Sequence, residues 1–161
     1  MIDIGKLEAA VDIASNIELY AGKFLEQNYR GWEPEAQRAM LNARRDALLI
    51  EASLRMLWDC MAFVHGWKET DTARGFMRKV LTEAHERAER TRDLLVAADH
   101  AFMAEIKPPE AVDVTRLIPG VLKAKYRSFV REPTMTWPLF LDIAADLRPT
   151  IRELLEGFDA A

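Results

Sequence analysis

The sequence predicts an all-α fold: a single-domain bundle of four to five helices, with three long antiparallel helices followed by a bent C-terminal pair. Apolar residues recur at alternating steps of three and four along four stretches, which is the seam of a helix packed lengthwise on its neighbours. Seven glycines and seven prolines fall mostly between these stretches. With 161 residues, the chain has the usual size of one domain, so residues 1-161 are predicted to share one core.

The first three helices are predicted at Asp3–Arg30, Pro34–His65 and Thr72–Ile106, each from an uninterrupted apolar seam. The third seam has eight successive positions without a charged residue: Met77, Leu81, Ala84, Ala88, Thr91, Leu95, Ala98 and Phe102. Short connections between helices of this length favour antiparallel neighbours. These three helices are therefore expected to form the scaffold.

Helix boundaries are marked by residues that suit helix ends. Pro34 fits a first helical position, where no amide donor is needed, and Gly66 is expected to end the second helix. Asp71 or Thr72 is predicted to cap the third helix through a side-chain oxygen. The final helix is predicted at Pro138–Phe158, with a kink or break caused by Pro149, which lacks an amide hydrogen.

One basic segment, residues 116–131, stands out in a chain of net charge -4. It contains no acidic residue and interleaves cations with aromatic rings, a mixture typical of nucleic-acid or anion binding. The candidate contact residues are Arg116, Lys123, Lys125, Tyr126, Arg127 and Arg131. An amphipathic surface helix that packs across the bundle has the same pattern, so that alternative stays open.

Three tryptophans fall at predicted helix ends: Trp32, Trp67 and Trp137. Large aromatic residues at such places anchor a partner protein or fill the open end of a bundle. They are the candidate partner-binding residues. The first helix, which is rich in acidic residues, is a second candidate for docking on a basic partner.

Motifs for metal, haem and nucleophilic chemistry are missing. No Glu precedes a histidine by three residues, no Cys-x-x-Cys-His or paired cysteine is present, and no Gly-x-Ser-x-Gly or phosphate-binding glycine loop occurs. Neither a cofactor nor a metal is therefore predicted. Cys60 lies in an apolar run and is expected to pack in the core of a cytoplasmic protein. No secretory signal or membrane span is expected, since charges interrupt the most apolar helix.

The third predicted helix carries the one enzymatic hint, in Arg78 and His85. Their spacing resembles the Arg-x(4-6)-His motif of the HEPN helical ribonucleases, in which such residues from two subunits meet at a dimer cleft. The resemblance implies phosphate binding by Arg78 and proton transfer at the ribose hydroxyl by His85. It covers eight residues, and Lys79 stands where that family usually has a small polar residue. The alternative is a flanking stripe that pairs with acids on a neighbouring helix.

Together these features predict a non-catalytic helical interaction protein, acting as an accessory subunit, adaptor or inhibitor of a larger macromolecular assembly. The expected partner is another protein or a nucleoprotein complex, with nucleic acid contacted through the basic segment. A homo-oligomer is compatible with the pattern, and a membrane is not. The alternative function is a metal-independent ribonuclease that uses Arg78 and His85.

Overall fold

A computed structural model describes residues 2–63, 66, 70–105, 108–113 and 134–160. These residues form five α-helices and one antiparallel pair of very short strands. In chain order the elements are α1 (Ile4–Asn28), a 3₁₀ turn (Tyr29–Gly31), α2 (Pro34–Phe63), α3 (Asp71–Ala104), β1 (Val112–Asp113), β2 (Thr134–Met135), α4 (Trp137–Ala145) and α5 (Leu147–Ala160). The all-α bundle with a bent C-terminal pair is thereby confirmed.

Helix starts follow the side chains that can satisfy free amide groups. Asp3 accepts a hydrogen bond from the Lys6 amide at 3.2 Å and caps α1, and Pro34 occupies the first position of α2, as predicted. The cap of α3 is Thr70, whose hydroxyl accepts from the Ala73 amide at 3.1 Å. The predicted cap at Asp71 or Thr72 is therefore wrong by one or two residues, because Thr70 already supplies a suitable oxygen.

The predicted seams form the core. Every seam residue of the first and third helices is buried, and so are those of α2 from Met40 to Leu57. Three further positions belong to the predicted seams, Met61 and Val64 in the second helix and Ala144 in the final one. Met61 and Ala144 are half-buried at the margin of the core, and Val64 lies outside the described residues. The three-and-four spacing thus identified the packed side of each long helix.

The C-terminal pair bends between α4 and α5, at Asp146. The Asp146 amide donates to the Ile143 carbonyl at 3.2 Å, which closes α4 with a tight turn. Pro149 was predicted to interrupt the last helix, but it lies in the first turn of α5, where its missing amide leaves no helical bond unmade. The break therefore precedes the proline by three residues.

The β1–β2 ladder was not foreseen from the sequence. Val112 pairs with Met135 and Asp113 with Thr134, in antiparallel register. Both Val112 and Met135 are buried, and β1 contacts α1. Two-residue strands have too little alternation to be recognised in a sequence.

Helix α2 lies between α1 and α3 and packs against both, while α5 also contacts α1 and α3. The four long helical elements thus enclose one apolar core, and α4 covers it from the side of α1. This arrangement leaves one side of α2 facing away from the bundle.

Candidate functional site

The outward side of α2 carries an apolar stripe, called here the outer face of α2. Its members follow one another along the helix at steps of four, three, four, four, three and four residues. At about 100° per residue, these positions cover one continuous side of the helix, opposite the core. They are Leu41, Arg45, Leu48, Ala52, Met56, Asp59 and Phe63.

The apolar members of this face are exposed to an unusual degree. Of nine large hydrophobic residues exposed in the described part of the chain, four belong to the outer face and a fifth, Leu49, lies elsewhere on α2. Leu48 is 50 % exposed and Phe63 is 81 % exposed. Single exposed apolar residues are common on soluble proteins, but a contiguous patch usually marks a binding surface. The outer face of α2 is therefore the strongest candidate site.

The two charged members of the face have no ion-pair partner among the described residues, unlike charges on the neighbouring sides of α2. Arg44 pairs with Glu18 of α1 at 3.2 Å, and Arg55 pairs with Glu51 at 3.0 Å. Arg45 and Asp59 are both exposed and make no such contact. They are thus available to a partner that docks on the face.

Sequence reasoning missed the outer face, although a signal was present. Helix α2 has a second apolar period alongside the core seam, with Leu41, Leu48, Met56 and Phe63 on it. A bundle helix that needs only one buried side would place polar residues at these positions. A search for two apolar sides on one helix would have found it.

A groove of about 800 Å³ lies between the C-terminal half of α1 and the start of α2. Its walls combine charged and apolar side chains, including Glu26, Arg30 and Leu41. Across it, the Arg44 guanidinium lies against Gly22, where a Cβ would be 3.1 Å from Cζ of the arginine. The Arg44–Glu18 ion pair lies in this groove, and through Leu41 the groove borders the outer face.

Trp137 lies inside the bundle rather than on its surface. It is 4 % exposed, and its ring packs edge-on against Phe24 and Phe102 at centroid distances of 5.6 and 5.1 Å. Its indole Nε1 donates to Asp99 Oδ1 at 2.8 Å. The prediction that Trp137 binds a partner is therefore wrong: the residue fills one end of the core, which is the other role the sequence allowed.

Trp32 occupies the turn before α2 and is half-buried. Its ring lies 4.7 Å from that of Phe102, and its carbonyl accepts from Gln37 Nε2 at 2.9 Å. The buried edge belongs to the same aromatic cluster as Trp137. Its role in partner binding stays a prediction, restricted to the exposed edge.

Arg78 and His85, the residues of the enzymatic alternative, make separate contacts. Arg78 forms an ion pair with Asp159 of α5 at 2.7 Å, and its guanidinium lies 5.9 Å from the centroid of the Phe158 ring. His85 Nε2 is enclosed by protein and makes no hydrogen bond in the described structure. The arginine thus forms a surface ion pair with α5 while its side chain stays 60 % exposed, and the imidazole Nε2 is withdrawn from solvent.

Around His85, two nitrogen atoms face one carboxylate. Glu89 Oε1 lies 3.9 Å from His85 Nε2 and 3.6 Å from Arg148 Nε. These distances exceed those of direct hydrogen bonds. The cluster joins α3 to α5 by weak electrostatic attraction and presents no nucleophile to solvent.

Between α1 and α2, Asp12 has the one perturbed carboxyl group among the described residues. Burial raises its pKa, the charge of Glu8 raises it further, and Arg55 opposes both. Burial also raises the pKa of the Tyr20 hydroxyl, which lies in the core. Burial is the largest cause of both shifts, so packing accounts for most of each change.

The remaining predicted site residues lie outside the described residues. They are Trp67 and the six candidates of the basic segment, Arg116, Lys123, Lys125, Tyr126, Arg127 and Arg131. Their assignments stay predictions from the sequence.

Within the described ranges, no group of three or more His, Cys, Asp and Glu side chains could hold a metal ion. No helix in the same part of the chain is long and apolar enough to cross a membrane. In comparisons with known proteins, no family model, curated protein or solved structure matches the chain.

Proposed function

We propose that the chain is a non-catalytic helical interaction protein of the cytoplasm, an accessory subunit or adaptor that binds a partner protein chain through the outer face of α2. The observation that carries this proposal is a row of exposed apolar residues, interrupted by two unpaired charges, on a helix whose opposite side already fills the core. Covering apolar surface contributes about 25 cal/mol per Å² removed from water. Such a face therefore favours association.

Catalysis is less well supported by the described geometry. The ribonuclease alternative needs a histidine nitrogen open to the ribose hydroxyl, whereas His85 Nε2 is enclosed, and Arg78, although exposed, is paired with Asp159. Incubation with labelled single-stranded RNA should give no more cleavage than a His85→Ala variant does. Cleavage by the parent chain that disappears in His85→Ala would instead favour the enzyme.

Binding to a protein partner can be tested with a matched pair of variants. Leu48 on the outer face and Val96 on α3 are 50 % and 48 % exposed, and both lie inside long helices. Tagged full-length chains carrying Leu48→Asp or Val96→Asp would be expressed in the source cells, and the proteins recovered with them quantified by mass spectrometry. We expect partners to be retained by Val96→Asp and lost by Leu48→Asp. Recovery of the same partners with Leu48→Asp, or of none with the parent, would refute the proposal.

Nucleic acid is a further proposed ligand, through the basic segment. The segment has no acidic residue and carries Lys123, Arg127 and Arg131 at helical spacing. Phosphate contacts release counterions, so binding should weaken linearly on a log–log plot against salt. Changing these three residues together to Glu should abolish binding to single-stranded nucleic acid at low salt while the circular dichroism spectrum is preserved. Equal binding by the triple variant would remove nucleic acid from the proposed function.

A further inference from the structure

The members of the outer face of α2 have the same spacing in both directions along the helix. Its steps of four, three and four residues before Ala52 are mirrored by four, three and four after it. Leu48 and Met56 are each four residues from Ala52, and Leu41 and Phe63 are each eleven residues away. The face is therefore symmetric in position about one small residue.

The chemistry of the seven members of the face follows the same symmetry, although Leu49 and Arg55 beside them, three residues on either side of Ala52, are not matched. When two copies of α2 lie antiparallel with Ala52 facing Ala52, each residue meets the one at equal distance on the other side of the centre. Leu48 then faces Met56, and Leu41 faces Phe63, so large apolar residues pack on large apolar residues. At the centre two methyl groups meet, which lets the helices approach closely. A two-fold interface requires this kind of self-complementarity.

The unpaired charges decide the orientation. Arg45 and Asp59 are each seven residues from Ala52, so an antiparallel pair places each arginine opposite an aspartate, twice in the dimer. A parallel pair would bring arginine against arginine and aspartate against aspartate, which is unfavourable. Neither residue has an ion-pair partner in the described part of its own chain, although similar charges on other sides of α2 do.

We infer that the occupant of the outer face is a second copy of this chain, docked antiparallel on α2 about a two-fold axis at Ala52. The inference rests on the proposed function and names the partner of the same surface. From Leu41 to Phe63 the paired face is about 33 Å long at 1.5 Å per residue. An interface of one helix from each chain is small beside the roughly 800 Å² per partner of a standard interface, so we expect a dimer that dissociates on dilution, with a Kd on the order of micromolar.

The experiment is sedimentation equilibrium of the full chain over a wide concentration range, with charge-reversed variants. Arg45→Glu and Asp59→Arg each place like charges opposite one another and should weaken dimerisation roughly tenfold or more. The double variant restores opposite charges at both contacts and should recover most of the parent affinity. Leu48→Asp should abolish the dimer, and Val96→Asp should leave it unchanged. Circular dichroism of each variant verifies that the fold is intact.

Recovery by the double variant is specific to this register, because surface charges that act independently would give additive losses. A monomer at all concentrations, or a dimer in which the charge swap fails to restore affinity, overturns the inference. If the chain is monomeric but loses a cellular partner on Leu48→Asp, the proposed function stands and only the second copy is excluded. If the charge-swap dimer forms and no other protein is recovered from cells, the dimer stands and the accessory role fails.

Discussion

At the residue scale, Asp12 shows how packing two helices around a carboxyl group affects stability. Its folded pKa is raised by burial and by Glu8, so the folded state holds the proton more strongly than the unfolded chain does. The resulting stability is fully present below the unfolded pKa and is lost as the pH rises through the folded pKa. At neutral pH the charged group therefore opposes folding.

Asp12→Asn should accordingly increase the free energy of unfolding at pH 7, because the neutral amide has no charge to desolvate. The gain over the parent should shrink as the pH falls through the range in which Asp12 takes up its proton. Urea unfolding at a series of pH values measures both effects. Glu8→Gln is the matched control and should lower the Asp12 pKa, as followed by NMR. A loss of stability at pH 7 in Asp12→Asn would show that the carboxylate is needed by Arg55.

The hydrogen bond between Trp137 and Asp99 gives a second prediction at this scale. Trp137→Phe keeps an aromatic ring in the cluster but removes the Nε1 donor, so Asp99 loses its 2.8 Å partner. Together with the smaller ring, the change should cost at least about 1 kcal/mol of unfolding free energy. Asp99→Asn, which keeps an acceptor oxygen, should cost less in the same urea titration. If both variants lose the same unfolding free energy, the charge of the Asp99 carboxylate, rather than the hydrogen bond alone, stabilises the fold.

At the scale of elements, the seam of α3 is packed closely through small side chains. Ala84 is fully buried and Ala88 is 1 % exposed, on the side that meets α2 and α5. Leucine at such a position has no space to enter, whereas leucine at an exposed position on the same helix does.

Ala88→Leu should therefore lower the free energy of unfolding by about 1 to 3 kcal/mol through overpacking. Ala97→Leu is the matched control, since Ala97 is exposed on α3, and its effect should stay within about 0.5 kcal/mol. Thermal and urea unfolding of both variants provide the comparison. If Ala88→Leu is as stable as the parent, α3 does not use this seam.

The sequence predicted the long elements well because their signal is repeated many times. Eight successive seam positions specify the buried side of α3, and each agrees with the others. Helix ends depend on single contacts, such as the hydroxyl of Thr70, and are therefore shifted by a residue or two. The β1–β2 ladder depends on residues that are distant in sequence, so no local pattern indicates it.

The candidate site was harder to predict than the fold, for a physical reason. Apolar residues at helical spacing indicate that a side of a helix is covered, but not whether the chain itself or a partner covers it. Once the neighbours of α2 are known, Leu48 and Met56 are left uncovered by the described residues. For Trp137 the error was the opposite. Its place at a helix end suggested an exposed side chain, whereas packing and the hydrogen bond to Asp99 bury it.

At the scale of the whole molecule, one core connects all the long helices, and we expect it to unfold as a unit. The folded chain should be strongly helical and lose helicity in one cooperative transition, with coincident curves from circular dichroism and tryptophan fluorescence. Because the described core is held by apolar packing, a metal chelator should leave the transition unchanged. Collapse of helicity on chelation would reveal a bound metal on which folding depends.

Buried Asp46 has a consequence for how the chain finds its native alignment. Its side chain is 2 % exposed and accepts two hydrogen bonds from Arg90, at 3.3 and 3.4 Å. The seams of α2 and α3 repeat similar apolar steps, so sliding one helix by two turns would still match apolar residues. In the misaligned state the buried Asp46 carboxylate would have no arginine partner, which would raise the free energy of that state by roughly 3 to 5 kcal/mol.

The Asp46–Arg90 pair thus fixes the position of α2 along α3, which the repeating apolar residues alone would specify weakly. Replacing both with alanine should cost less equilibrium stability than replacing Arg90 alone, because no unpaired buried carboxylate remains, while allowing misaligned helices to accumulate during refolding. Stopped-flow fluorescence would show a parent that refolds in a single exponential and a double variant with an added slow phase, as trapped chains slide back. A single exponential in both would mean that the apolar side chains alone set the alignment.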